Sequence, residues 1–310
     1  MVVSAHSVPD AGLEPAPGTS PSPTGKAIGA NTWIWVSPLT DERLAGLAPR
    51  IKGWGFDIVE LPIEDTTDWD PGRTADLLAG LGLGATTCAV MPESRDLVTA
   101  DQAVVTGTQG YLRTCVDHAA RVGADVVAGP IYAPVGRTWL MEPGERGPTL
   151  ARLVERLAPV AEYAAAKGVR LAIEPLNRYE TSLINTLAQA VEVADRLASP
   201  GCGVAADTFH MNIEEKDMTA ALQEAGPWLA HVQVCGNDRG APGDDHIDWA
   251  AMAGALDRAG YSGPVCIESF TSENQTIARA ASIWRPLAPS QDELAIRGLA
   301  HLRDVFGRRS

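Results

Sequence analysis

The sequence predicts an α/β protein of the (β/α)8 barrel class, folded as one domain, and three observations carry that prediction. Eight short apolar runs alternate with eight longer amphipathic stretches from Lys26 to the end of the chain. That rhythm demands parallel pairing through helical crossovers. The runs are continuously apolar, as strands covered on both faces should be, and several are closed by Pro, Asp or Glu. The doubly wound open sheet is the alternative, but no GxGxxG follows the first strand.

Taken in order, Ile28 to Trp35 is a strand and Asp41 to Gly53 a helix. Asp57 to Leu61 is the second strand, closed by Pro62, which has no N–H for a sheet ladder; Arg73 to Leu81 is the next helix. Ala85 to Val90 leads to the long helix Gln102 to Val122, with Gly123 in the position that ends helices. Asp125 to Gly129 is followed by the helix Leu150 to Lys167, stopped by Gly168. The second half continues with Val169 to Glu174, helix Thr186 to Leu197, Cys202 to Asp207 and a short helix Met218 to Ala225. Leu229 to Val234, helix Trp249 to Ala259, Pro264 to Ser269 and helix Gln291 to Val305 complete the set.

Composition bounds the partners. A length of 310 residues and 45% hydrophobic content suit a large core. A net charge of -14 argues against nucleic acid or an anionic membrane surface as a bulk partner, and no apolar run reaches membrane-spanning length. Cys88, Cys115, Cys202, Cys235 and Cys266 are odd in number and lack CxxC spacing, which fits reduced thiols in the cytoplasm. Residues 1–25 are rich in Pro, Ala, Gly and Ser and lack a basic start and an apolar h-region; they read as a disordered tail rather than a signal peptide.

The chemistry is declared in the run Arg170-Leu171-Ala172-Ile173-Glu174-Pro175, where an apolar strand ends in a carboxylate. Burying that charge is costly without a positive partner. Barrel enzymes place catalytic groups at the carboxyl ends of their strands. Those ends carry Glu174, Asp207 and Glu268 on strands five, six and eight, while strand seven offers His231 and Gln233 on one face. Two Glu, one Asp and a neutral donor suit one octahedral divalent ion, Mn2+ first and Co2+ or Mg2+ as alternatives. Each residue also has a bland role. Asp207-Thr208 would serve as a helix cap, and His231 or Gln233 as a bonded core side chain. Glu60, at the end of strand two, is a candidate substrate contact or a salt bridge across the barrel mouth.

Three runs resemble the signatures of ketose 3-epimerases, the D-tagatose/D-allulose family within the xylose-isomerase-like barrels. They are Ile173-Glu174-Pro175-Leu176-Asn177-Arg178-Tyr179-Glu180, Asp207-Thr208-Phe209-His210-Met211-Asn212-Ile213-Glu214-Glu215 and Ile267-Glu268-Ser269-Phe270. The resemblance implies that Glu174 and Glu268 bind the metal and act as acid and base, that Asp207 is a further ligand, and that Glu180, His210 and Arg239 hold the sugar. The family usually has a metal-binding His six residues before the arginine that matches Arg239; this chain has Gln233 there, with His231 two residues earlier. Related dehydroshikimate dehydratases use Gln at that place, so the resemblance favours Gln233 as the fourth ligand.

The activity so implied is epimerisation of a ketose at C3 through an enediolate. An aldose–ketose isomerase and a dehydratase of the inosose or dehydroshikimate type use the same enediolate and stand as alternatives, as does a barrel that binds sugar without turnover. The expected partners are a small sugar or polyol-derived ketone and further copies of the chain, as a dimer or tetramer.

Overall fold

Eight parallel strands close on themselves in sequence order, the first pairing with the eighth, in a computed structural model that describes residues 25–307. The expected tail over residues 1–25 lies outside them apart from Gly25. The strands are β1 (Ile28–Asn31), β2 (Ile58–Ile63), β3 (Gly84–Ala89), β4 (Val126–Gly129), β5 (Arg170–Ile173), β6 (Cys202–Asp207), β7 (Leu229–Val234) and β8 (Val265–Ile267). Between them run α1 (Asp41–Trp54), α2 (Pro71–Leu81), α3 (Gln102–Val122), α4 (Arg146–Ala166), α5 (Leu187–Leu197), α6 (Thr208–Glu214), α7 (Met218–Ala225), α8 (Trp249–Arg258), α9 (Gln275–Ala280) and α10 (Gln291–Phe306).

Several boundaries differ from expectation, each for a local reason. β1 stops at Asn31, whose side chain accepts from the Trp33 N–H and turns Thr32–Ile34 into a 3-10 helix. β2 runs through Pro62 instead of ending before it. β1 has already stopped opposite Glu60, so from there β2 pairs with β3 alone. The Pro62 carbonyl, which points to the same side as its missing N–H, accepts from Trp69 Nε1 and not from a strand. α2 begins at Pro71 because Asp70 caps it, and Pro is well suited to a first helical position. α6 and α9 were not expected. α6 is the Asp207–Glu215 run itself, begun by Asp207, whose Oδ1 accepts from the Phe209 N–H.

The main core lies between the barrel wall and its helices, with Leu44, Ile51, Leu112, Leu153, Leu157 and Leu302 fully or almost fully buried against outward-facing strand residues such as Val59, Leu171 and Val204. Inside the barrel, Cys88, Val126, Ala128, Ala172 and Ala205 form a separate apolar cluster. Alternation along each strand puts Ala172 on the side of Glu174 and Ala205 on the side of Asp207. Small side chains on β3 to β6 thus leave room for polar ones on β7, β8, β1 and β2. All five cysteines are free and buried, and among the described residues no helix is long and apolar enough to cross a membrane.

Candidate active site

The strand ends bring Glu174, Asp207, Gln233 and Glu268 together at one mouth of the barrel. Glu174 stands one residue past β5, where Pro175 ends the ladder; its N–H still bonds to the Gly129 carbonyl, which fixes its height. Asp207 is the last residue of β6 and pairs in register with Gln233 on β7, which pairs with Cys266 on β8, two residues before Glu268. One oxygen of Glu174, one of Asp207 and one ring nitrogen of His210 lie within 4.8 Å of one another.

Arg239 reaches into this cluster from the loop after β7. Its Nη1 donates to Asp207 Oδ2 at 2.6 Å and to Glu268 Oε2 at 3.0 Å. The guanidinium packs over two rings, 4.2 Å from the centroid of Phe209 and 4.8 Å from that of Phe270. The Arg239 backbone is left-handed, with φ 69°, which for a residue other than glycine marks strain held by its surroundings. A loop arginine can instead make a surface salt bridge, but Arg239 is buried. Arg178 does take that role: its guanidinium and backbone N–H bind Glu214 at 2.8 to 3.0 Å.

The loop after β5 sets His210. Its Nδ1 accepts from the Asn177 N–H at 3.0 Å, while Nε2 lies 3.1 Å from Arg239 Nη2 and 3.5 Å from both Glu174 and Asp207. Burial, reinforced by Arg239 against the pull of Asp207, lowers the imidazole to about 3, so the ring is neutral and these contacts are not ion pairs. Asn177 also donates to Glu180 Oε1 at 2.7 Å, which anchors the expected sugar-binding carboxylate beside His210. Glu215 closes the arrangement by accepting from Leu187 N–H at the start of α5.

Glu60 is placed differently from expectation. It lies three residues before the end of β2, wholly buried, and its carboxylate is fully engaged. Oε1 accepts from Thr86 and His231, Oε2 from the amides of Asn31 and Gln233. Nothing is left over for a substrate, so the contact role is corrected to an internal one. Glu60, His231 and Cys266 are also close enough to suggest a second ion. Two donors on one ion stand roughly 3 Å apart or more. The 2.5 Å between His231 Nε2 and Glu60 Oε1 is a hydrogen bond instead.

The carboxylates differ in charge state. Burial raises Glu174 well above the usual range, Asp207 adds to it, and Arg239 only partly opposes. Burial likewise raises Glu268, with Arg239 opposing and Asp207 and Glu174 adding. Burial would raise Glu60 too, but His231 and the hydrogen bonds from His231, Gln233 and Asn31 carry it below the usual range.

The residues fit an oxygen-ligated divalent ion. Gln233 donates its amide N–H groups to Glu60 and Glu268, each at 2.9 Å, while its Oε1 is buried with no hydrogen-bond partner. A buried acceptor without a donor calls for one. Three carboxylates in the same space make a cation the natural complement.

Asn31, Asn177, Phe209 and Phe270 are site residues that the sequence reading passed over. The two phenylalanines had a signal: each stands two residues after a site carboxylate, Asp207 or Glu268.

A sequence model of the xylose isomerase-like TIM barrel family matches residues 49–304. The chain is 34% identical over 281 residues to a probable ketose 3-epimerase of Synechocystis, covering 90% of this chain and 96% of that one. It is 33% identical over 279 residues to a ketose 3-epimerase of Arthrobacter globiformis, covering 89% and 96%. A solved L-ribulose 3-epimerase superposes with a TM-score of 0.84 at 31% identity, covering 91% of this chain and 94% of that one. Strand-end carboxylates, a closed barrel and full-length similarity agree, and the chain belongs to the xylose isomerase-like TIM barrel family and, within it, to the ketose 3-epimerases, enzymes that epimerise sugars.

Proposed function

We propose that the protein inverts a ketose at C3, with Glu174 and Glu268 as the two proton carriers. The observation that carries this reading is that both glutamates sit at strand ends facing one site, buried, with carboxyls raised well above the ordinary range. A raised carboxyl is better able to give and take protons near neutral pH. One glutamate takes the C3 proton, and the bonding electrons pass toward the C2 carbonyl oxygen to give an enediolate. The other delivers its proton to C3 from the opposite side, the carbonyl re-forms, and the centre is inverted. β5 and β8 stand apart around the ring, which is what access to the two faces requires.

Glu174, Asp207, Gln233 and Glu268 would hold a divalent ion, Mn2+ by preference over Co2+ or Mg2+, that supplies a Lewis acid for the charge developing on the substrate oxygens. Neutral His210, held by Asn177 at Nδ1 and beside Arg239 at Nε2, would line the sugar site next to Glu174 and Asp207. Arg239, packed against the Phe209 and Phe270 rings, would bind hydroxyl oxygens, and Glu180 would accept from another hydroxyl. Five buried thiols are in keeping with a cytoplasmic enzyme.

Incubation of the Mn2+-loaded protein with a panel of ketoses, inosose and dehydroshikimate in D2O tests the reading. Deuterium should enter at C3 of a ketose and of its C3 epimer. Deuterium at C1 would make the enzyme an aldose–ketose isomerase, and loss of water a dehydratase.

A further inference from the structure

The interior of the barrel holds an anion that the proposed chemistry does not use. Glu60 is a buried carboxylate, and a carboxylate can only accept. The two amides that reach its Oε2, Asn31 at 2.9 Å and Gln233 at 2.9 Å, must therefore present NH2 groups to it. Both amides have a second contact. Asn31 Nδ2 reaches Glu268 Oε1 at 3.3 Å, and Gln233 Nε2 reaches the same oxygen at 2.9 Å. Glu60 and Glu268 are thus bridged twice, and every bridging bond runs from an amide N–H to a carboxylate oxygen.

The orientation of the two amides has consequences at the mouth. With its NH2 committed, Gln233 can turn only its carbonyl oxygen elsewhere, and that is the buried oxygen without a partner. With two donors on Oε1, Glu268 is left with Oε2 facing Asp207 across Arg239. His231 supports the anion from the far side through Nε2, and Thr86 from β3. A neutral acceptor at position 60 could itself flip, and would leave Glu268 as the one carboxylate holding the Gln233 amide in this order.

We infer that Glu60 is a positioning residue: together with Glu268 it accepts from the Gln233 amide, commits its NH2 and turns the Gln233 carbonyl toward the proposed metal space, while Glu268 Oε2 stays on the Arg239 side of the site. This rests on the assignment of Gln233 and Glu268 as ligands made above. A His at position 233 has no amide to orient, so the lock belongs to this chain's glutamine. Glu60 touches neither the substrate nor the ion in this scheme and acts through its neighbours.

A double-mutant cycle read by Mn2+ binding tests it, with free Mn2+ followed by electron paramagnetic resonance and the fold of each variant by circular dichroism. Glu60→Gln keeps the shape and removes the acceptor-only character. It should weaken Mn2+ binding about 10- to 100-fold, the usual cost of losing a group that orients a metal ligand. Gln233→Ala should weaken it by at least about tenfold. In the Gln233→Ala background, Glu60→Gln should cost much less than it does alone, because there is no carbonyl left to aim. Glu60→Asp keeps the charge but withdraws it by one methylene. It should show a smaller loss in the same direction, and it serves if the Gln variant does not fold. If Gln233→Ala weakens binding while Glu60→Gln and Glu60→Asp do not, or if the Glu60 and Gln233 penalties simply multiply, the lock is wrong and the ligand assignment stands. If Gln233→Ala leaves Mn2+ binding unchanged, the ligand assignment fails and takes the lock with it.

Discussion

Glu60 and the pair Glu174 and Glu268 are buried to a similar depth, with exposures of 0%, 6% and 4%, and they differ in what surrounds them. Glu60 receives four donors, from Asn31, Thr86, His231 and Gln233. Among the described residues, Glu174 accepts no side-chain hydrogen bond; the His210 ring stands 3.5 Å away and Asp207 shares its space. Glu268 shares its amide donors with Glu60 and its guanidinium with Asp207. A full set of donors keeps a buried carboxylate ionised and idle. A partial set shared among crowded anions leaves carboxyls raised, ready to exchange protons or to take up an ion. Burial alone does not separate the two kinds; the neighbours do, with His231 and the amides lowering Glu60, and Asp207 and other carboxylates raising Glu174 and Glu268.

The contrast can be broken most directly by withholding the ion. Chelation of the purified protein should abolish turnover, and added Mn2+, Co2+ or Mg2+ should restore it, as measured by epimer formation. Undiminished turnover in rigorously metal-free protein would end the assignment of Glu174, Asp207, Gln233 and Glu268 as a metal site. Next in size are Glu174→Gln and Glu268→Gln. Each keeps an oxygen donor and removes a proton carrier, so turnover should fall about 100- to 10,000-fold with a lesser change in KM. A variant that turns over like the parent removes that residue from the acid–base pair.

A smaller effect sharpens the division along β7. Gln233→Ala should weaken Mn2+ binding by about tenfold or more, and His231→Ala by less, since His231 Nε2 is spent on Glu60. Gln233→His should retain a metal site and give it a pH dependence. An imidazole ligand must lose its proton, so affinity should then fall as pH drops through about 6.5. Calorimetric titration of the three variants decides it, and loss of the metal in His231→Ala alone would reverse the assignment.

Strand count, strand order and the four strand-end ligand candidates were all legible in the sequence, because short apolar runs alternating with amphipathic stretches, and prolines after strands, leave a local trace. The inner role of Glu60 was not. Its neighbours come from β1, β3 and β7, and only closure of the barrel brings Asn31, Thr86, His231 and Gln233 around one carboxylate. His231 and Gln233 illustrate the same limit. Spacing put them on one face, but only the structure shows one bonded to the deep anion and the other spanning two anions. The helix hidden in the Asp207–Glu215 run was obscured because it is only seven residues long and its N-cap is the site residue Asp207.

The smallest expected effect is on stability against pH, where the two kinds of carboxylate should act in opposite directions. Glu60 is lowered in the fold, so the unfolded chain binds more protons there. Its contribution should be present above the ordinary carboxyl value of 4.5 and lost as pH falls through the lowered one. Glu174 and Glu268 are raised, so the fold binds more protons than the unfolded chain. Their contribution should be present in acid and lost as pH rises from 4.5 through their raised values. Thermal unfolding in chelator, from about pH 3 to pH 8, should show both limbs as shifts of a few degrees in Tm. Glu60→Gln should flatten the acid limb, and Glu174→Gln or Glu268→Gln the rising one. Mn2+ displaces the protons held by the raised pair, so the gain in Tm on adding it should widen as pH rises. An acid limb identical in the parent and in Glu60→Gln would mean that Glu60 is not an anion in the fold, and the contrast between the two kinds of carboxylate would fail at its deepest member.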